Sequence, residues 1–137
     1  MSYDGGRYLE FVEVERVCRQ LAASCPAWIS LEEVGSSRHG RPMILLTVSR
    51  QDGATLDRPA FWLDGGTHAA EWTGVMAVVY TLCRWADDLM SGDAAALAWF
   101  SSHTAYVMPC ISPDGFVAMR EGAPFLRSTL RPPRDSR

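Results

Sequence analysis

Ala60-Phe61-Trp62-Leu63-Asp64-Gly65-Gly66-Thr67-His68-Ala69-Ala70-Glu71-Trp72 is the stretch on which the reading of the fold turns. Its short apolar run, Ala60 to Asp64, is bounded by Pro59 and by Gly65-Gly66 and reads as a β-strand. From Glu71 to about Met90 the chain is apolar nearly all round its middle, at Val75, Met76, Val78, Val79 and Leu82, the pattern of a buried helix. Strand, glycine-softened turn and helix follow one another, with two metal-capable side chains, His68 and Glu71, at the junction.

Working outward, Tyr8, Phe11, Val14, Cys18 and Leu21 recur at helical spacing and predict an amphipathic helix that closes before Pro26. Trp28 to Val34 and Met43 to Val48 predict two strands, the second apolar on both faces and so placed inside a sheet. The turn-forming connector Gly35-Ser36-Ser37-Arg38-His39-Gly40-Arg41-Pro42 makes them a hairpin. Ser91-Gly92 stops the long helix, Asp93 is a good N-cap for a further helix through Leu97 and Phe100, and Thr104 to Met108 is a fourth strand. Pro109 to Gly115 reads as a turn-rich loop, and the Pro- and Arg-rich residues from Glu121 onward as irregular. Interleaved helices and strands predict a layered α/β fold. The length of 137 residues suits one domain with a real core.

A net charge of −3 lacks the basic face that nucleic-acid binding needs. The longest apolar run, Val75 to Cys83, is about half of the ~20 residues that span a bilayer, so no membrane association is expected. Residues 1–7 carry no apolar core of a signal peptide, which leaves the chain cytoplasmic as written and its compartment otherwise open. Cys18, Cys25, Cys83 and Cys110 form no Cys-x-x-Cys pair; reduced, buried thiols are expected rather than a cysteine zinc cluster.

Zinc accepts imidazole nitrogen and carboxylate oxygen, and a catalytic zinc takes three protein ligands with one position open. His68 and Glu71, at i and i+3 of a helix start, can converge on one ion. Ligand sites gather at the carboxyl ends of strands in α/β sheets, and paired glycines admit close backbone approach there. The bland alternative is a chance pairing, with Glu71 favoured at a helix N-terminus by the macrodipole.

The flanking residues add a resemblance. Gly66-Thr67-His68-Ala69-Ala70-Glu71-Trp72 resembles the first ligand motif of the zinc metallocarboxypeptidases, Gly-x-His-Ala-Arg-Glu-Trp. Pro109-Cys110-Ile111-Ser112-Pro113-Asp114-Gly115-Phe116 is similar to that family's Pro-x-x-Asn-Pro-Asp-Gly-Tyr/Phe loop, and the 35–42 connector to its Gly-x-Ser-x-x-Gly-Arg hairpin. Order and spacing match across nearly the whole chain. The resemblance implies a three-layer α/β/α fold with a mixed sheet, incomplete here at about four strands and three helices. Residues 1–137 would be the N-terminal portion of a single catalytic domain.

By the same resemblance, His68 and Glu71 are the first two ligands of one Zn2+ ion, and Arg127 is the residue that polarises the scissile carbonyl of a peptide or protein substrate. Ala70 stands where the family often has Arg, and Ser112 where it usually has Asn. The family's third ligand (a second His), its general-base Glu and its Asn-Arg clamp for a terminal carboxylate find no match in these residues. The chain alone is therefore expected to be inactive and to bind zinc weakly. His39 and His103 are expected in surface or capping roles, Asp64 as a hydrogen-bonding neighbour of the site, and Asp114 as a turn residue. A non-catalytic half-fold that binds or self-associates through an exposed sheet edge is the alternative. A related zinc deacylase is a further one.

Overall fold

A computed structural model describes residues 3–127, 129 and 130. In chain order it contains α1 (Phe11–Ser24), β1 (Ile29–Ser36), β2 (Pro42–Val48), a 3-10 turn (Thr55–Asp57), β3 (Ala60–Asp64), α2 (Trp72–Ser91), α3 (Ala94–Ser102), β4 (Thr104–Met108) and α4 (Pro113–Arg120). The strands form one mixed sheet in the order β1-β2-β4-β3. β1 and β2 are an antiparallel hairpin, β2 and β4 pair antiparallel, and β3 and β4 pair parallel. The parallel pair needs a crossover, and α2 with α3 supplies it.

Each helix has a local reason. α1 buries Phe11, Val14, Cys18 and Leu21. It starts later than the spacing of apolar residues suggests, because Glu10 is extended (φ −75°, ψ 159°) and accepts its role as cap with Glu13 receiving the Glu10 N–H at 2.9 Å. Tyr8 therefore lies outside the helix, where its ring meets Trp72 edge-on at 6.0 Å. α2 buries Val75, Met76, Val78, Val79, Leu82, Cys83, Ala86 and Leu89 and ends at Gly92, whose φ of 79° is left-handed. Asp93 caps α3 by accepting the Ala96 N–H at 2.8 Å.

One element corrects the sequence reading. Pro113 to Arg120, expected to begin as loop, is helix α4. Pro and Gly in this stretch signal a turn, but at the first helical position proline's missing N–H costs nothing and its fixed φ suits the helix start. Eight residues are also too few for an apolar period to show, and Gly115 interrupts what there is. Among the described residues the helices number four where about three were expected.

The core gathers one face of the sheet (Ile29, Ile44, Leu46, Val48, Ala105, Val107) under α1, α2 and Phe116 of α4. β2 lies between β1 and β4, as its two-sided apolar pattern predicts. β3 is an edge strand: Phe61 packs edge-on against Trp85 at 6.0 Å and Trp99 at 5.6 Å, while the next residue, Trp62, points the other way and is 52% exposed. The result is an α/β fold built on an open mixed sheet. All four cysteines are free and buried. Burial pushes the Cys18 and Cys110 thiols up to about 12 and raises Cys25 and Cys83 as well. Among the described residues no helix is long and apolar enough to cross a membrane.

Candidate metal centre

The loop between β3 and α2 does not hang free. Met108 at the end of β4 accepts the Gly65 N–H at 3.1 Å, and beyond the strands Ile111 N–H donates to Gly65 O at 2.9 Å and Ser112 N–H to Gly66 O at 3.0 Å. The parallel pairing of β3 with β4 thus continues as a pairing of two loops. Such an approach leaves no room for side chains. A Cβ on Gly65 would lie 2.8 Å from Pro109 O and 2.9 Å from Gly74 O. A Cβ on Gly66 would lie 2.8 Å from Val75 Cγ2, and its φ of 63° is a conformation that glycine alone adopts freely.

This seam delivers Thr67 and His68 to a fixed place. Asp64 Oδ1 accepts the Thr67 hydroxyl at 2.9 Å and its Oδ2 accepts Trp62 Nε1 at 2.6 Å, so Asp64 orders the turn that leads to His68. The Ser112 hydroxyl donates to Thr67 O at 3.1 Å. On the far side Ala69 N–H donates to Arg127 O at 3.0 Å. His68 is flanked on both sides by anchored backbone.

His68 and Glu71 converge, but not as successive turns of a helix. Glu71 precedes α2 with φ −94° and ψ 61°, and the Glu71 N–H donates to His68 O at 3.0 Å across a turn. That turn brings His68 Nδ1 to 2.9 Å from Glu71 Oε1, with both side chains partly open to solvent. Two ligands of a tetrahedral zinc, each about 2.0–2.2 Å from the ion, stand roughly 3.3 Å apart. The pair needs to spread by only a few tenths of an ångström to fit one, and imidazole nitrogen with carboxylate oxygen is a donor set zinc accepts. Among the described residues no group of three or more His, Cys, Asp or Glu side chains gathers at a common point.

Trp72 fixes the start of α2 next to the pair. Its ring lies edge-on to Phe116 at 6.4 Å, and the Arg120 guanidinium sits 5.0 Å above it, itself paired with Glu10. Its buried Nε1 has no hydrogen-bond partner among the described residues; packing and the cation hold the ring.

Of the remaining residues, Arg127 is brought beside the ligand turn through its carbonyl, and its side chain is exposed. His103 stacks on Trp99 at 4.6 Å and bonds Ser102, a capping role at the end of α3. His39 lies in the hairpin, its backbone N–H donating to Asp114 at 3.2 Å. Asp114 does more than shape its own turn. It is 1% exposed and accepts from Ser37 Oγ at 2.8 Å and Arg41 Nη1 at 2.7 Å, joining α4 to the β1–β2 hairpin. Burial alone would raise its carboxyl, but the Ser37, Arg41 and His39 donors outweigh that and hold it below the ordinary carboxylate value. The long-range partners of Asp114 and the Ser112–Thr67 contact were missed from sequence. The only local signal for the second was a hydroxyl residue immediately before Pro113.

The zinc carboxypeptidase family model matches residues 14–136. Carboxypeptidase B of Astacus astacus is 35% identical over 113 residues, covering 82% of this chain and 35% of the relative. Carboxypeptidase A2 of Mus musculus is 31% identical over 116 residues, covering 85% and 27%. The chain thus spans about a third or less of the length of these relatives. Among solved structures, bovine thrombin-activatable fibrinolysis inhibitor, in complex with a tick carboxypeptidase inhibitor, superposes with a TM-score of 0.79 at 19% identity, over 97% of this chain and 40% of that one. Carboxypeptidase A of Helicoverpa armigera gives 0.77 at 21% identity, over 96% and 31%. At such identities the structural matches speak for the fold, and the family model speaks for descent: this chain belongs to the zinc carboxypeptidase family.

Proposed function

We propose that this chain is the N-terminal portion of a zinc carboxypeptidase catalytic domain and contributes two of its metal ligands, His68 and Glu71. The observation that carries the reading is the 2.9 Å approach of His68 Nδ1 to Glu71 Oε1 in a turn whose backbone is fixed on both sides. Zinc, when bound there, supplies Lewis-acid polarisation of a peptide carbonyl and a water acidified to a pKa of about 7. The chain's own part is to present the ligands. His68 offers the Nδ1 lone pair, which requires the ring proton on Nε2, and Glu71 offers a carboxylate that offsets the ion's charge. Arg127, permanently charged, stabilises the oxyanion that develops on the substrate peptide; its backbone bond to Ala69 supports that placement.

A third ligand and a general base are not supplied by the described residues in this reading. The purified 137-residue chain is accordingly expected to bind Zn2+ weakly and to release no C-terminal residues from peptides. Mass spectrometry of peptides incubated with the chain and zinc checks this; efficient release that a chelator abolishes would refute it.

One observation favours a second reading, a non-catalytic half-fold that self-associates. β3 is a sheet edge carrying Phe61 and Trp62 at 38% and 52% exposure, and such an edge invites pairing. Sedimentation velocity is expected to show concentration-dependent association that Trp62→Lys suppresses. A monomer at every concentration removes this reading.

A further inference from the structure

Ser112 is the N-cap of α4, yet its side chain makes no capping hydrogen bond. Serine is favoured at that position because its oxygen accepts a backbone N–H of the first turn. Here the hydroxyl is turned away from the helix and donates to Thr67 O at 3.1 Å, one residue before His68. The residue is 6% exposed, and its own N–H is already committed to Gly66 O at 3.0 Å. One residue thus grips the ligand turn at two successive carbonyls.

The grip is only as firm as what stands behind it. α4 is held from the other side by Asp114, whose carboxylate ties the first turn of the helix to Ser37, His39 and Arg41 of the hairpin. Ser112 O also accepts the Phe116 N–H at 2.9 Å, and the Phe116 ring is buried. A continuous path of hydrogen bonds therefore runs from the β1–β2 hairpin through Asp114 and α4 to Ser112, and from there to Thr67 and the His68–Glu71 turn. Thr67 itself is exposed, so burial does little to hold this residue, and its own hydrogen bonds run to Ser112 and Asp64.

We infer that Ser112 is a positioning residue for the metal-ligand pair: it forgoes capping its own helix to hold the backbone that carries His68. The inference rests on the proposed zinc-binding role of His68 and Glu71. Groups that orient metal ligands are worth about 10–100-fold in affinity when removed. Ser112 acts one step behind the ligand, through backbone, so Ser112→Ala is expected at the low end, about a tenfold loss.

The test is a titration of the full chain with zinc chloride, followed by the 15N resonances of the His68 ring. Ser112→Ala should weaken zinc binding about tenfold, and Ser112→Thr, which keeps the hydroxyl, should restore it. Ser49→Ala serves as a control: Ser49 is buried and donates to His103 O at 3.1 Å, away from the ligand turn. It should cost stability but leave zinc affinity within about twofold, which separates positioning from general loosening. If Ser112→Ala binds zinc as the unaltered chain does, or if Ser49→Ala weakens it equally, the inference is overturned. If instead the unaltered chain binds zinc no better than His68→Ala, the metal-ligand reading itself fails and takes the inference with it.

Discussion

Gly65→Ala is expected to destabilise the chain by about 3 kcal/mol, the upper range for forcing volume into a packed site. The added methyl would meet Pro109 O at 2.8 Å and Gly74 O at 2.9 Å. Both obstacles are backbone, one in the loop after β4 and one in the first turn of α2, so no side-chain rotation relieves the contact. Relief requires the two loops to part. That would break the Ile111–Gly65 and Ser112–Gly66 hydrogen bonds and release the His68 turn. Urea unfolding followed by tryptophan fluorescence measures the loss, and the midpoint should fall while the slope stays unchanged. Gly66→Ala is a useful companion, because it combines a left-handed φ of 63° with a contact to a movable side chain, Val75 Cγ2. Gly65→Ala with wild-type stability would show that the seam between the loops is looser than these distances imply.

Asp114→Ala is expected to cost a similar amount, about 3 kcal/mol, at the low end for removing one partner of a buried ion pair. The low end applies because Arg41 retains 28% of its side-chain exposure and can regain water. Ser37 Oγ and His39 N–H lose their acceptor together with it. The effect carries a pH signature. The folded-state pKa of Asp114 lies below its ordinary value, so the carboxylate binds its proton less readily in the native state than in the unfolded one. Its contribution is fully present above the unfolded pKa of about 3.9 and is lost as pH falls through the lower folded value. The stability gap between wild type and Asp114→Asn should therefore be constant above about pH 5 and shrink below about pH 4. A gap that persists unchanged in acid would mean that the carboxylate's charge is not what joins α4 to the hairpin.

These two residues mark where local reading ends. β3 and β4 were legible because a short apolar run between turn formers has few other outcomes, and their observed bounds match those expected. α2 was legible because its middle is apolar on every side, and α3 because Asp93 announces it. α4 was not: a proline that starts a helix and a proline that stops one look alike until the chain on either side is placed. The His68–Glu71 pair is legible in the sequence, where i, i+3 spacing at a helix start accounts for its convergence. The structure replaces that reason with a turn ahead of the helix, because Glu71 keeps non-helical dihedrals.

The sequence by itself determined the four strands and the helices α1 to α3 in their order, the edge-free position of β2, the buried thiols and the identity of the metal-capable pair with its family motif. Those are properties of neighbours along the chain: periodicity, turn chemistry and the spacing of a few side chains. Only the tertiary structure decided that Gly65 and Gly66 are a seam against residues 109–112, that Asp114 reaches back more than seventy positions to Ser37, His39 and Arg41, and that Ser112 holds Thr67 instead of its own helix. The physical reason is the same in each case. A hydrogen-bonding group or a missing Cβ acquires its meaning from the partner it meets, and β4 brings these partners together by pairing with β3 on one side and with β2 on the other.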